Sequence, residues 1–273
     1  MDIKNLQLGI IGGGAMAENI LRGILQTGLL SKEKISVSDV CSERLKYLNR
    51  VFNIKTSLHN PEIVSCSEVV LLAVKPQNMK PVLKEIRAAA NEKKLFLSIA
   101  AGVTSAAISR GLGGKGRIIR IMPNLAAKVL ESASALCLGP SATGEDLALA
   151  KQMFEAVGKA AVIDEELMDA VTGLSGSGPA YFFLIIEALA DAGVKAGLPR
   201  SKAQKLAAQT CLGAAKLVLE SAESPATLKD QVTSPAGTTI AGLQVLERGA
   251  VRGKIMAAVE AAVSRSKELG QEK

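Results

Sequence analysis

The residues best placed to do chemistry lie near the start of the chain. Gly12-Gly13-Gly14-Ala15-Met16-Ala17 fits G-x-G-x-x-G/A, with Gly12, Gly14 and Ala17 at the key places. The first glycine permits a tight turn, the second lets backbone approach a pyrophosphate, and the small third residue lets a helix pack on its strand. The amides of that helix would face the phosphates, so Ala15 and Met16 join the site. Asp39 stands 27 positions after Gly12. An acid there can accept from a ribose 2′-hydroxyl, whereas nearby Ser42 and Arg44 could instead hold a 2′-phosphate. Both readings stay open. His59 is the only histidine, and Cys41, Cys66, Cys137 and Cys211 form no C-x-x-C pair. Neither a metal site nor a disulfide framework is expected, and the thiols read as buried or half-buried in a reducing compartment.

These residues need a strand before the glycines and a helix after them, and the pattern supplies both. Residues 7–11 are a short apolar run, and 16–26 read as a helix stopping at Gly28. Residues 34–38 read as a strand and 43–52 as a helix. Apolar runs at 69–74, 95–100 and 118–122 read as buried parallel strands. They end at Ala73-Val74-Lys75-Pro76, Ala100-Ala101-Gly102 and Met122-Pro123-Asn124, the carboxyl edge where open α/β sheets bind ligands. Strands alternating with helices predict a parallel sheet with helices on both faces.

The character changes near Asp164, beyond which no strand is expected. Pro179 suits a first helical position. Up to Ala192 the only charges are Glu187 and Asp191, with Lys195 beyond, so this helix should be buried nearly all round. Ser201 and Gln204 suggest a capping box for a helix reaching about Leu219. Pro225 starts a short helix, and helices at 238–247 and 250–269 are divided by Gly249. The expected architecture is α/β: a Rossmann-type dinucleotide-binding domain at 1–164 and an all-α substrate and dimerisation domain at 165–273. So small an apolar bundle should bury itself against a copy of itself.

Composition narrows the function classes. Hydrophobic residues make up 48% and charged residues 22%, which argues against disorder. The net charge of +7 suits anionic small molecules, because Lys and Arg are scattered and aromatics are only 3%, too few for base stacking. The longest uncharged run, 170–186, reads as too short and too polar to span a bilayer, and Asp2 and Lys4 break up any apolar leader. A cytoplasmic protein with no nucleic-acid or membrane partner is expected.

The segment 173–182, Gly-Leu-Ser-Gly-Ser-Gly-Pro-Ala-Tyr-Phe, resembles the G-x-x-G-x-G-x-x-x-K signature of β-hydroxyacid dehydrogenases, with Phe182 in place of the lysine. Alcohol oxidation needs a base for the hydroxyl proton. An imine substrate does not, since it arrives protonated and its carbon accepts hydride directly. Several motifs then resemble the pyrroline-5-carboxylate reductase family, end to end. They include Pro225-Ala226-Thr227-Leu228-Lys229-Asp230-Gln231-Val232-Thr233-Ser234-Pro235-Ala236-Gly237-Thr238-Thr239-Ile240, residues 173–181, Ala73-Val74-Lys75-Pro76-Gln77, Ser98-Ile99-Ala100-Ala101-Gly102-Val103 and Met122-Pro123-Asn124.

The resemblance implies reduction of 1-pyrroline-5-carboxylate to L-proline with NADPH, or with NADH. It implies that Ser234 and the amides of Gly237 and Thr238 hold the substrate carboxylate, ahead of a helix that favours an anion. Thr239 would act catalytically by hydrogen-bonding the ring nitrogen, and Glu223 and Thr172 would line the pocket. Asn60, Lys75 and Ala101 would meet the cofactor. It also implies interlocked helical halves in a homodimer, and admits a decamer. Two departures stand out. Ala236 replaces the usual Gly, which strains the turn if φ is positive. The end of the second strand reads Ser38-Asp39-Val40, where many members carry Asn-Arg at the last two positions, so the usual arginine for a 2′-phosphate is missing. A reductase for another cyclic imino acid and a non-catalytic dinucleotide sensor are the alternatives.

Overall fold

A computed structural model describes residues 3–271, so Asp2 of the leader reading lies outside the described residues. The chain forms two compact units. One comprises Met1–Ser177 with Ala262–Lys273, the other Gly178–Ala261.

The first unit is built on one eight-stranded sheet. Its strands are β1 (Leu8–Ile11), β2 (Ile35–Ser38), β3 (Lys55–Ser57), β4 (Val69–Leu72), β5 (Leu95–Ser98), β6 (Arg117–Met122), β7 (Ser132–Leu138) and β8 (Gly158–Val162). Their spatial order is β3-β2-β1-β4-β5-β6-β7-β8. All neighbours pair in parallel except β6 and β7, which are antiparallel. The order reverses at β1, whose last residue, Ile11, registers with both Ser38 and Leu72. Such a switch point leaves a crevice at the strands' carboxyl ends.

Six helices belong with this sheet: α1 (Ala15–Gln26), α2 (Ser42–Phe52), α3 (Asn60–Ser65), α4 (Pro76–Ile86), α5 (Ser105–Gly111) and α6 (Gly144–Glu155). Alternating strand residues face two separate cores. Ile10, Leu71 and Leu97 pack with Ile20 and Ile24 of α1 and Phe154 of α6. Ile11, Val70, Leu72 and Phe96 pack with Leu83 and Ile86 of α4 and Ile108 of α5. Covering both faces is what lets these strands be apolar throughout. After β8 the short α7 (Met168–Val171) runs into a π-turn at Thr172–Gly176.

The second unit is helical. It holds α8 (Gly178–Lys195), α9 (Arg200–Glu220), α10 (Pro225–Gln231), α11 (Thr238–Arg248) and the first part of α12 (Val251–Gln271). Helices α8 and α9 pair through small residues. A Cβ added at Gly193 would come 3.1 Å from that of Ala203. The unit's buried apolar cluster is Ala190, Ala203 and Ala207.

Several expectations need correction. Helix α8 is not buried all round within its own chain: Phe183 is 58% and Leu184 67% exposed. Residues 173–176 lie in the π-turn, and Ser177 forms a bend before α8 begins at Gly178. Glu165–Lys195 is long and apolar enough, by length and composition only, to cross a membrane, a test that the core helix of a soluble protein also passes. The capping box at Ser201 and Gln204 does not form: α9 starts at Arg200 with Pro199 at its N-cap and no side-chain cap. Cys41 and Cys66 are exposed rather than half-buried. Burial pushes the Cys137 thiol up to about 11, aided by the nearby Glu165 carboxylate.

Candidate functional site

The glycine turn crosses the end of β1. Gly12 donates its N–H to Ser38 O at 2.8 Å, and Ala73 donates to Ile11 O at 2.8 Å, so three strand ends meet here. Gly12 has φ +94°, and a Cβ on it would lie 2.7 Å from Ala73 O. Only glycine fits both the conformation and the space. Gly14 is the N-cap of α1, which has no side-chain cap, and no atom lies within 4 Å of where its Cβ would start. The first-turn amides, at Ala15 and Met16, thus have clear space beside Gly14, and the residues fit a dinucleotide. Ala17 is buried against the core, as its place in the motif requires.

The turn is held from the side by β2 and α2. Asp39 Oδ2 accepts the Gly13 N–H at 2.7 Å, and Oδ1 accepts the Cys41 N–H at 2.9 Å. Arg44 Nε donates to Gly13 O, and Nη2 pairs with Glu18 Oε2 at 2.5 Å. Glu18 also accepts from Arg22 at 3.0 Å and from the Tyr47 hydroxyl at 3.1 Å. Burial pushes the Glu18 carboxyl up, but the hydrogen bonds from Arg44, Arg22 and Tyr47 outweigh it and hold the group below its usual range.

Asn60 is buried with both ends of its amide engaged: Oδ1 accepts from Ser38 at 2.7 Å and Nδ2 donates to Glu85 at 2.8 Å. It fixes the end of β2. Ala73 and Val74 follow β4, and exposed Lys75 caps α4 through its backbone. Ala100, Ala101 and Gly102 follow β5, with Gly102 at φ +68°. Asn124, after β6, donates from Nδ2 to Ser175 O at 3.0 Å, and Met122 Cε lies 2.8 Å from a Cβ added at Gly176. The motif after β6 is thereby coupled to the π-turn.

A cleft of about 720 Å³ within this unit brings Ala101 and Gly102 together with Thr172. Gln77, Ser177, Arg265 and Ser266 also line it; Gln77 ends the quoted 73–77 motif but was given no role, and the other three were not singled out from sequence. Ser177 lies inside the 173–182 motif, so a signal existed. Arg265 and Ser266 look like ordinary helix-surface residues; Ser266 Oγ donates to Asp169 at 2.6 Å.

The remaining candidates belong to the helical unit. Ala236 has φ +54°, so a non-glycine residue does occupy the left-handed position. Gly237 donates to Ser234 O at 3.1 Å and is the N-cap of α11, which has no side-chain cap and no acid in its first turn. A Cβ on Gly237 would sit 2.2 Å from Ser234 Oγ, so that hydroxyl lies directly over the helix end. Thr238 and Thr239 open α11. An exposed helix end with amides, hydroxyls and no carboxylate suits an anion. Glu223 lies between α9 and α10, exposed, and accepts from Gln231.

Residues 7–102 match the family model described as NADP oxidoreductase coenzyme F420-dependent, and residues 165–269 match pyrroline-5-carboxylate reductase dimerisation. The chain is 47% identical over 269 residues to pyrroline-5-carboxylate reductase of Methanosarcina acetivorans, covering 98% of this chain and 100% of that one. The solved pyrroline-5-carboxylate reductase of Coxiella burnetii superposes with a TM-score of 0.92 at 37% identity, covering 97% and 99%. A Plasmodium falciparum pyrroline carboxylate reductase with NADP bound superposes at 0.89 and 31% identity, covering 98% and 99%. With likeness running the whole length of both partners, this chain belongs to the pyrroline-5-carboxylate reductase family.

Proposed function

We infer that the protein reduces 1-pyrroline-5-carboxylate to L-proline with NADPH or NADH. The observation that carries the reading is the 234–239 turn: a hydroxyl over an uncapped helix end, in a chain that also has an open dinucleotide turn. The bound dinucleotide supplies the hydride to the imine carbon. Ser234 and the amides of Gly237 and Thr238 hold the carboxylate, and the α11 dipole favours that charge. Thr239 hydrogen-bonds the ring nitrogen, while Thr172 and Glu223 line the pocket. As the carbon gains hydride, the C=N π pair becomes the nitrogen lone pair. An imine that arrives protonated therefore needs no further proton from the enzyme, and the main work of these residues is orientation.

On the cofactor side, Gly12, Gly14, Ala15 and Met16 face the pyrophosphate and Asp39 the adenosine ribose. Asn60 positions the end of β2. The stretches Ala73-Val74-Lys75 and Ala100-Ala101-Gly102 take the nicotinamide half. Residues 1–164 act as the dinucleotide domain and 165–273 as the substrate and dimerisation domain. The apolar faces of the helical unit support a homodimer; we further propose a decamer of five such dimers and a cytoplasmic setting without membrane or nucleic acid. Mass in solution checks the assembly.

The reaction is tested by following NAD(P)H absorbance with 1-pyrroline-5-carboxylate and identifying the product. Imine-dependent oxidation yielding proline is expected. No oxidation with either nucleotide, in protein that still binds one, would sink the reading.

A further inference from the structure

We propose that Asp39 makes this protein select NADH over NADPH. The inference rests on the reductase reading only in assuming that a reduced dinucleotide occupies the glycine turn. Asp39 follows β2, the strand beside β1, which is where an open α/β sheet presents the adenosine ribose. Its two oxygens accept from the Gly13 and Cys41 amides, at 2.7 and 2.9 Å. Each carboxylate oxygen has two lone pairs, so both keep capacity to accept from a ribose hydroxyl. The two amide bonds fix the carboxylate in place against the turn.

A 2′-phosphate would bring a charge of about −1.5 to −2 to the same spot. Like charges so close cost several kcal/mol unless a cation intervenes. The nearest candidate is Arg44, and it is already committed. Its Nε is on Gly13 O, its Nη2 on Glu18, and its guanidinium lies 4.9 Å from the centre of the Tyr47 ring. Recruiting it would strip Glu18 of its shortest ion pair. At the start of α2 the Ser42 and Cys41 side chains hydrogen-bond the Glu43 carboxylate, so Ser42 is engaged and a second acid stands in that first turn. Two carboxylates, Asp39 after β2 and Glu43 at the start of α2, therefore stand in this region, and Arg44 is tied to the turn it supports.

The test is direct binding of NADH and of NADPH, read from nicotinamide fluorescence, so it does not depend on turnover. The dissociation constant for NADH is expected to be at least 10-fold lower. Asp39→Asn keeps an acceptor for the Gly13 amide but removes the charge, and should bring the two constants within about threefold. Arg44→Ala should weaken both nucleotides alike; a selective loss of NADPH would assign Arg44 to a 2′-phosphate and overturn the proposal. So would equal or tighter NADPH binding by the unaltered protein. Binding of both nucleotides without imine-dependent oxidation would sink the reductase reading but leave this ratio measurable. Binding of neither would overturn both.

Discussion

The two units solve the problem of apolar surface in opposite ways. In the sheet unit, both faces of the central strands are covered by helices of the same chain, and Ile10, Leu71, Phe96 and Leu97 are buried. In the helical unit, only three alanines form a buried apolar cluster, while Phe182, Phe183, Leu184, Leu206, Leu217 and Val245 are exposed. A monomer rarely leaves so many large apolar side chains of one unit uncovered. The difference shows that a compact unit and a self-sufficient core are separate things: the first unit has both, and the second has a shape awaiting another surface.

The largest effect should come from breaking the second unit alone. A charge at Leu184, as in Leu184→Asp, faces solvent in the single chain but would be buried wherever a copy covers α8. Burying it unpaired is prohibitive, so the dimer should dissociate and imine reduction should fall by about 100-fold or more. The sheet unit has no stake in that residue, and nucleotide binding should survive. Sedimentation and nucleotide fluorescence on the same sample check both halves. A variant that stays dimeric and active would remove the contrast between the units.

A middle-sized effect should be confined to the sheet unit. Glu18 has its carboxyl held low by Arg44, Arg22 and Tyr47 against the opposing effect of burial. A lowered folded value means that its stabilisation is present above the ordinary value near 4.5 and is lost as pH falls through the lower, folded one. Glu18→Gln imitates the protonated group. It should cost about 1–2 kcal/mol at pH 7. That gap in melting temperature should close on acidification below the folded value. A gap that does not change with pH would mean that Glu18 acts by packing alone.

How much of this could be read in advance follows the same divide. The glycine turn was legible because its strand, turn and helix are consecutive, and the chemistry needs nothing distant except Asp39. The strands Lys55–Ser57, Ser132–Leu138 and Gly158–Val162 were not, because they lie toward the sheet's edges, the first is polar, and the other two have only short apolar runs rich in small residues, at 135–138 and 160–162. The apolar girth of α8 was visible, but hydrophobicity does not say whether a residue is covered by its own chain or by another. Arg265 and Ser266 carried no signal, since a helix surface arriving from the far end of the chain looks like any other. Ser201 and Gln204 had the right spacing for a box, yet Pro199 set the helix start earlier and left the pattern unused.

The smallest effect concerns a single backbone angle in the helical unit. Ala236 is exposed and sits at φ +54°, so its methyl contributes conformational strain rather than core packing. The left-handed conformation costs an L-residue about 1–2 kcal/mol. Glycine removes that cost but makes the unfolded chain more flexible, which returns about 0.4–1 kcal/mol. The strain term is the larger, so Ala236→Gly should stabilise by about 0.5–1 kcal/mol. Because the angle sets the turn between Ser234 and the start of α11, the variant should also keep its affinity for the carboxylate substrate. Chemical denaturation and KM for 1-pyrroline-5-carboxylate check the two statements separately. Destabilisation would mean that unfolded-state entropy dominates here. A raised KM with unchanged stability would mean that the methyl itself, rather than the angle it tolerates, helps shape the seat.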